Sequence, residues 1–212
     1  MQKGWTGTPR VGAPGGVGSK PTTANVYGAP GRTTPVELEL LGWPPDGPKL
    51  PLDHERFSYA GKFVMTTTGK AVARENGDVV AAVAFNEDRT DGTILWLRYV
   101  TVARDRRGEG IGPALLEYVR DRALERGYDR LRIAVNNPYA YEALHRVGFG
   151  YTGETTGIAE LVLEYAPDER PASDVAHRYR DGLEAFRDRE LTDEERRFLE
   201  ERLERGPPEP RA

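Results

Sequence analysis

The sequence predicts a mixed α/β domain, and three observations carry that prediction. An Asn76-Gly77 pair sits between two segments rich in strand-forming residues, the strongest short hairpin signal. A β-branched and aromatic run over residues 94–102 passes through a glycine-rich turn into a helix that ends before Gly127. A short apolar segment, residues 131–135, then leads to a second helix announced by Asn137-Pro138.

Composition narrows the class. The chain has 212 residues, 30% charged and 38% hydrophobic, with 30 Lys+Arg against 34 Asp+Glu and no Cys. The small net charge of −4 argues against a protein built to coat nucleic acid. Without Cys there is no disulfide framework, thiolate chemistry or Cys-based zinc site. His54, His145 and His177 are too scattered to form a metal site, so none is expected. The longest apolar run, residues 79–85, is far short of the ~20 residues that span a bilayer. A soluble cytoplasmic protein with neither nucleic acid nor membrane as partner is expected.

Residues 1–35 differ in kind from the rest. Eight Gly, five Pro and seven Ser/Thr favour irregular backbone, and Lys3, Arg10, Lys20 and Arg32 face no acid. Such a segment cannot bury enough apolar surface to offset its ordering entropy, so a disordered basic arm is expected. The folded domain is read as residues 36–167. Residues 36–41 alternate weakly as a first strand, and residues 52–64 read as short helix and loop. Residues 70–74 and 78–85 form the hairpin, and a helix over 113–126 takes Pro113 as its first residue. Gly148 closes the second helix, and residues 158–165 make a last strand. Beyond Pro167 and Pro171, residues 168–212 read as a charged helical extension with helices over 173–188 and 192–205. The second helix opens with the capping-box pair Thr192 and Glu195. Val175, Tyr179, Leu183 and Phe186 give the first an apolar stripe for the core or for a second copy of the chain.

The functional signal lies in Arg107-Gly108-Glu109-Gly110-Ile111-Gly112. Glycines let backbone approach a ligand, and a helix start offers unpaired N–H groups and partial positive charge, which together suit a phosphate. Arg104, Arg106 and Arg107 add charge, while Glu109 opposes it. A Walker loop needs Gly-Lys-Ser/Thr, but Pro113-Ala114 follow Gly112. A dinucleotide fingerprint would need a glycine at Pro113 or at Leu115. Both nucleotide readings fail.

A third pattern fits. Arg107, Gly110 and Gly112 resemble the Arg/Gln-x-x-Gly-x-Gly/Ala motif of the GCN5-related N-acetyltransferases, the GNAT superfamily. Asn137, Ala140 and the closing Gly148-Phe149 are similar to that family's second signature. The resemblance covers residues 36–165. It implies a twisted central mixed sheet, flanked by helices, with one strand splayed to receive coenzyme A. It implies direct transfer of acetyl from acetyl-CoA, as co-substrate, to an amine on a small molecule or a protein. By resemblance, Gly108, Glu109, Gly110, Ile111 and Gly112 would hold the pyrophosphate beside Arg107. Val100 and Val102 would pair with the pantetheine arm, Asn137 would flank it, and the Val100 N–H would serve as oxyanion donor.

At one point the chain departs from the family's pattern. Its usual Tyr general acid, four residues before the closing Gly-Phe, corresponds to Leu144. Tyr141 lies about 60° around the helix from Leu144 and His145 about 100°, which makes them the candidate substitutes. A thiol with pKa about 8.5 leaves tolerably as thiolate, so the departure implies a substitute acid, a slower enzyme or an inactive acyl-CoA-binding module. Glu87 is the candidate base, beside His54, Glu55 and Asp88, and spacing selects none of them.

Overall fold

The computed structural model describes residues 25–27, 35–157, 159–167 and 172–209. Among these residues, eight strands form one mixed sheet: β1 (Asn25–Tyr27), β2 (Val36–Gly42), β3 (Gly69–Glu75), β4 (Asp78–Glu87), β5 (Ile94–Val102), β6 (Arg130–Val135), β7 (Gly150–Thr155) and β8 (Leu161–Tyr165). Their spatial order is β1-β2-β3-β4-β5-β6-β8-β7. The β5–β6 contact is parallel, and the other pairings are antiparallel. Four helices among the described residues accompany the sheet: α1 (Ile111–Glu125), α2 (Pro138–Arg146), α3 (Ala172–Glu184) and α4 (Asp193–Arg205).

Alternation along the strands builds three layers. Ala71, Ala73, Ala81, Val83, Phe85, Leu95 and Leu97 join Leu115 and Val119 of α1 in the main core. Val72, Ala82 and Ala84, on the opposite face, lie under Leu50 and Phe63. Residues 43–68 form that cover with turns and one 3₁₀ turn, Ala60–Lys62, in place of the expected short helix. Lys70 anchors the cover from beneath. Its buried Nζ donates to Met65 O at 2.5 Å, Thr68 O at 2.9 Å and Thr68 Oγ1 at 3.1 Å, and burial lowers its pKa.

Three further expectations need correction. Asn25–Tyr27, within the arm read as disordered, is a strand paired with Val36, Glu37 and Leu38. The rest of that arm lies outside the described residues. The strand expected over 158–165 is the second half of a hairpin. Gly150–Thr155 precedes it, and the chain reverses through Thr156 N–H to Glu160 O, 2.9 Å, with Ala159 at φ 64°. Helix α1 starts at Ile111 instead of Pro113. A proline is tolerated throughout a first turn, where N–H groups have no intrahelical acceptor.

The C-terminal helices pack on the domain itself. Tyr179, Leu183 and Phe186 of the predicted stripe, with Leu199 and Leu203 of α4, are buried in the main core. Three of the four stripe residues are therefore consumed within the chain, while Val175 stays exposed. Glu142 of α2, also buried, accepts from Tyr179 Oη at 2.5 Å, Arg146 Nη2 at 3.1 Å and Arg202 Nε at 3.1 Å, which joins α2, α3 and α4. Thr192 and Glu195 form the capping box that the sequence announces.

Candidate active site

The sheet opens where β5 leaves β6. Their parallel ladder runs from Ile94↔Arg130 to Leu97↔Ile133 and stops. Register with β4 jumps from Ala84↔Tyr99 to Phe85↔Leu97, so Arg98 is an extra, bulged residue. A bulge bends its strand and sharpens the twist, which carries residues 99–102 away from β6.

This leaves β5 with backbone groups to offer. Antiparallel strands aim the N–H and C=O of alternate residues at opposite edges. Ala103 N–H donates to Val80 O at 2.9 Å, on the β4 side. Thr101 and Tyr99 share that direction, so Val100 and Val102 aim their N–H groups into the opening. Their side chains pack on the α1 face. Those of Tyr99 and Thr101 face the cover. Thr101 is buried, and its Oγ1 has no hydrogen-bond partner among the described residues.

At the end of β5 the glycine-rich turn meets α1. Gly108 has φ 80° and Gly110, the N-cap, φ 77°, a left-handed backbone that suits glycine. A Cβ on Gly112 would meet Val102 Cγ2 at 3.2 Å, so this glycine lets the helix start lie against the open strand. The N–H groups of Ile111 and Gly112 open the helix and have no intrahelical carbonyl. The unfavourable charge of Glu109 is met by Arg106 Nε at 3.2 Å, and Arg106 also grips Glu75. Arg107 reaches across to Ser58 Oγ of the cover at 3.0 Å. A second link, Arg104 N–H to Arg56 O at 3.0 Å, fastens the cover to the loop. These residues fit a diphosphate followed by an extended thioester arm: amides at the helix start, a nearby arginine, and strand amides in the opening.

The remaining candidates are placed elsewhere. Asn137 Oδ1 accepts from Ala140 N–H at 2.9 Å as the α2 cap. Tyr141 is completely buried, and its hydroxyl donates towards Arg178 O at 3.2 Å and Tyr179 O at 3.1 Å of α3. Burial raises its pKa strongly. His145 is buried too, with its ring 4.7 Å from those of Tyr141 and Tyr179. Both face the C-terminal helices, and the Tyr141 hydroxyl is engaged by two α3 carbonyls. Leu144 is buried in the core as well. Glu87 pairs with Leu95, five residues before Val100, about 16 Å away along the strand. It accepts from Tyr128 Oη at 2.8 Å instead. Azimuth alone selected Tyr141 and His145, and the helices that cover them carry no local signal of where they dock. Ser58, Tyr59 and Thr101 are additions from the structure. Tyr99 could have been found by strand alternation from Val100.

A mixed sheet that opens beside a glycine-capped helix start is the arrangement that the resemblance to the acetyltransferases implies. The chain belongs to the acetyltransferase (GNAT) family, whose model matches residues 36–149. The IAA acetyltransferase from Bacillus cereus is 20% identical over 62% of this chain and 99% of its own, with TM-score 0.47. Nourseothricin acetyltransferase is 26% identical over 47% of this chain, with TM-score 0.42, and the match spans 65% of that enzyme's length. YncA from Salmonella typhimurium, solved with its cofactor acetyl-CoA, is 21% identical over 50% of this chain and 68% of its own, with TM-score 0.43. No curated protein matches the chain.

Proposed function

We propose that the chain transfers an acetyl group from acetyl-CoA directly to an amine. The observation that carries this reading is the opening itself: Val100 and Val102 direct backbone N–H groups into it, beside the Gly110-capped start of α1. When bound, acetyl-CoA supplies the activated acyl carbon. Ile111 and Gly112 N–H groups, helped by Arg107, hold its diphosphate. Val102 orients the arm as an added strand would. Val100 N–H meets the carbonyl oxygen, where negative charge grows as the amine attacks, a preorganised stabilisation. The C–N bond forms as the C–S bond breaks, the electron pair leaves on sulfur, and the amine proton passes to solvent.

With Tyr141 and His145 both turned into the core, the thiolate leaves without a side-chain acid from α2. General acid catalysis contributes ~10²–10⁴-fold, so a modest turnover is the expectation. The same observation favours one rival, a module that binds acyl-CoA without transferring the group. Two measurements decide. Calorimetry with coenzyme A should show binding, and its absence overturns the acyl-CoA reading altogether. Thiol release from acetyl-CoA over a panel of amines should then show turnover. Tight binding with no release for any amine establishes the module instead.

A further inference from the structure

We propose that Tyr59 and Tyr99 form the acceptor subsite of this transferase, and that its acceptor is a monoamine with an aromatic body. This rests on the reading above. Helix α1 fills the sheet face to which Val100 and Val102 turn their side chains, so an amine must approach from the cover side. There, Tyr99 immediately precedes Val100, and the Tyr59 ring lies 6.0 Å from the Tyr99 ring, tilted 38°. Tyr59 is 52% exposed, with Val64 at 44% and Met65 at 45% following on the same stretch of cover.

The other exposed large apolar residues among those described are Tyr139, whose ring meets Phe198 at 4.5 Å, and Val175 on α3. An exposed aromatic ring held against a second ring, beside the strand that offers Val100, has the makings of a binding surface. Tyr59 also holds φ 60°, ψ 17°, a left-handed conformation costly for a bulky residue and typical of functional positions. Two tilted rings, one of them on Tyr99, next to Val100 and 6.5 Å from the Phe63 ring, suit a flat aromatic group. Lys62 Nζ stands 6.0 Å from the centre of the Tyr99 ring and repels a second cation, which disfavours a polyamine. Thr101 adds a buried hydroxyl on the same face of β5.

The test uses the full chain with acetyl-CoA and three amines: 2-phenylethylamine, n-butylamine and spermidine. Thiol release should give kcat/KM for 2-phenylethylamine at least about tenfold above either of the others, as expected for ring stacking plus apolar burial. Tyr59→Ala should collapse that ratio towards one, chiefly through KM, and Tyr59→Phe should restore it. Saturation-transfer NMR on the coenzyme A-saturated protein reads the same preference without requiring chemistry. Equal signals from 2-phenylethylamine and n-butylamine, or a preference that survives Tyr59→Ala, overturns the proposal. So does a change in sedimentation coefficient on Tyr59→Ala without loss of amine selectivity, which would make the patch an interface between copies. Failure of coenzyme A to bind defeats the underlying reading, whereas coenzyme A binding without aromatic preference defeats this inference alone.

Discussion

Arg107 and Tyr141 represent two kinds of candidate residue, one exposed beside the opening and one sealed in the core. Arg107 extends from the loop to Ser58 Oγ at 3.0 Å, where its charge is available to a diphosphate. Arg107→Glu reverses that charge at the helix start, and calorimetry should show coenzyme A affinity reduced by at least about tenfold. Unchanged affinity would remove the diphosphate from this corner. Tyr141, in contrast, spends its hydroxyl on two α3 carbonyls. Tyr141→Phe should therefore leave kcat within about twofold while lowering unfolding free energy by about 1 kcal/mol, the net worth of a hydrogen bond. A hundredfold fall in kcat with intact stability would return Tyr141 to the chemistry.

At the scale of elements, two of the contacts that fix α2 to the C-terminal helices lend themselves to substitution. One is the close approach of α3: a Cβ on Gly182 would lie 2.1 Å from Tyr141 Oη and 2.6 Å from its Cζ. Gly182→Ala should destabilise the protein by about 1–3 kcal/mol in urea unfolding, as overpacking does, and adding Tyr141→Phe should recover part of that loss. A fully additive double variant would show that the two residues do not touch in solution. The other is the Glu142 cluster. Arg202→Ala removes one of two cations from a buried carboxylate, and a loss of about 3 kcal/mol is expected at neutral pH. A loss under 1 kcal/mol would mean that Arg146 alone balances Glu142. Beyond α3, Arg189 donates to Asn136 O at 3.3 Å and to Ala159 O, so this segment also holds the β6–α2 junction.

Across the whole molecule, buried tyrosines tie stability to alkaline pH. Burial, with the Glu87 carboxylate beside it, pushes Tyr128 up to about 12 from an ordinary 10.0, and burial also raises Tyr141 and Tyr179. A raised folded-state value means that the native state keeps protons the unfolded chain releases. The stabilisation is complete below pH 10 and is lost as pH climbs through the folded values. Thermal midpoints should fall between pH 10 and 12, and tyrosinate absorbance should show a slow fraction that titrates only on unfolding. Free titration of all ten tyrosines in the folded protein would contradict this burial. The same scale explains the C-terminal helices: their apolar faces enter the main core beside α2, so they belong to the body that positions the site.

Local signals settled much of this in the sequence alone. The Asn76-Gly77 hairpin, β5 over residues 94–102, the Asn137 cap and the Thr192–Glu195 box each depend on neighbours a few residues apart. The loop from Arg107 to Gly112 was legible for the same reason, since a strand, glycines and a helix start are consecutive in the chain. Other features depended on partners far away in sequence. The bulge at Arg98 arises only when β4 and β5 are laid in register, and the opening beside Val100 only when β6 stops pairing at Ile133. Glu87 looked available until pairing set it at the far end of the strand, bonded to Tyr128. Tyr141 and His145 looked accessible on a nine-residue helix until α3, more than thirty positions later, closed over them. Backbone geometry is written in adjacent residues, but burial is decided by whatever the rest of the chain brings alongside.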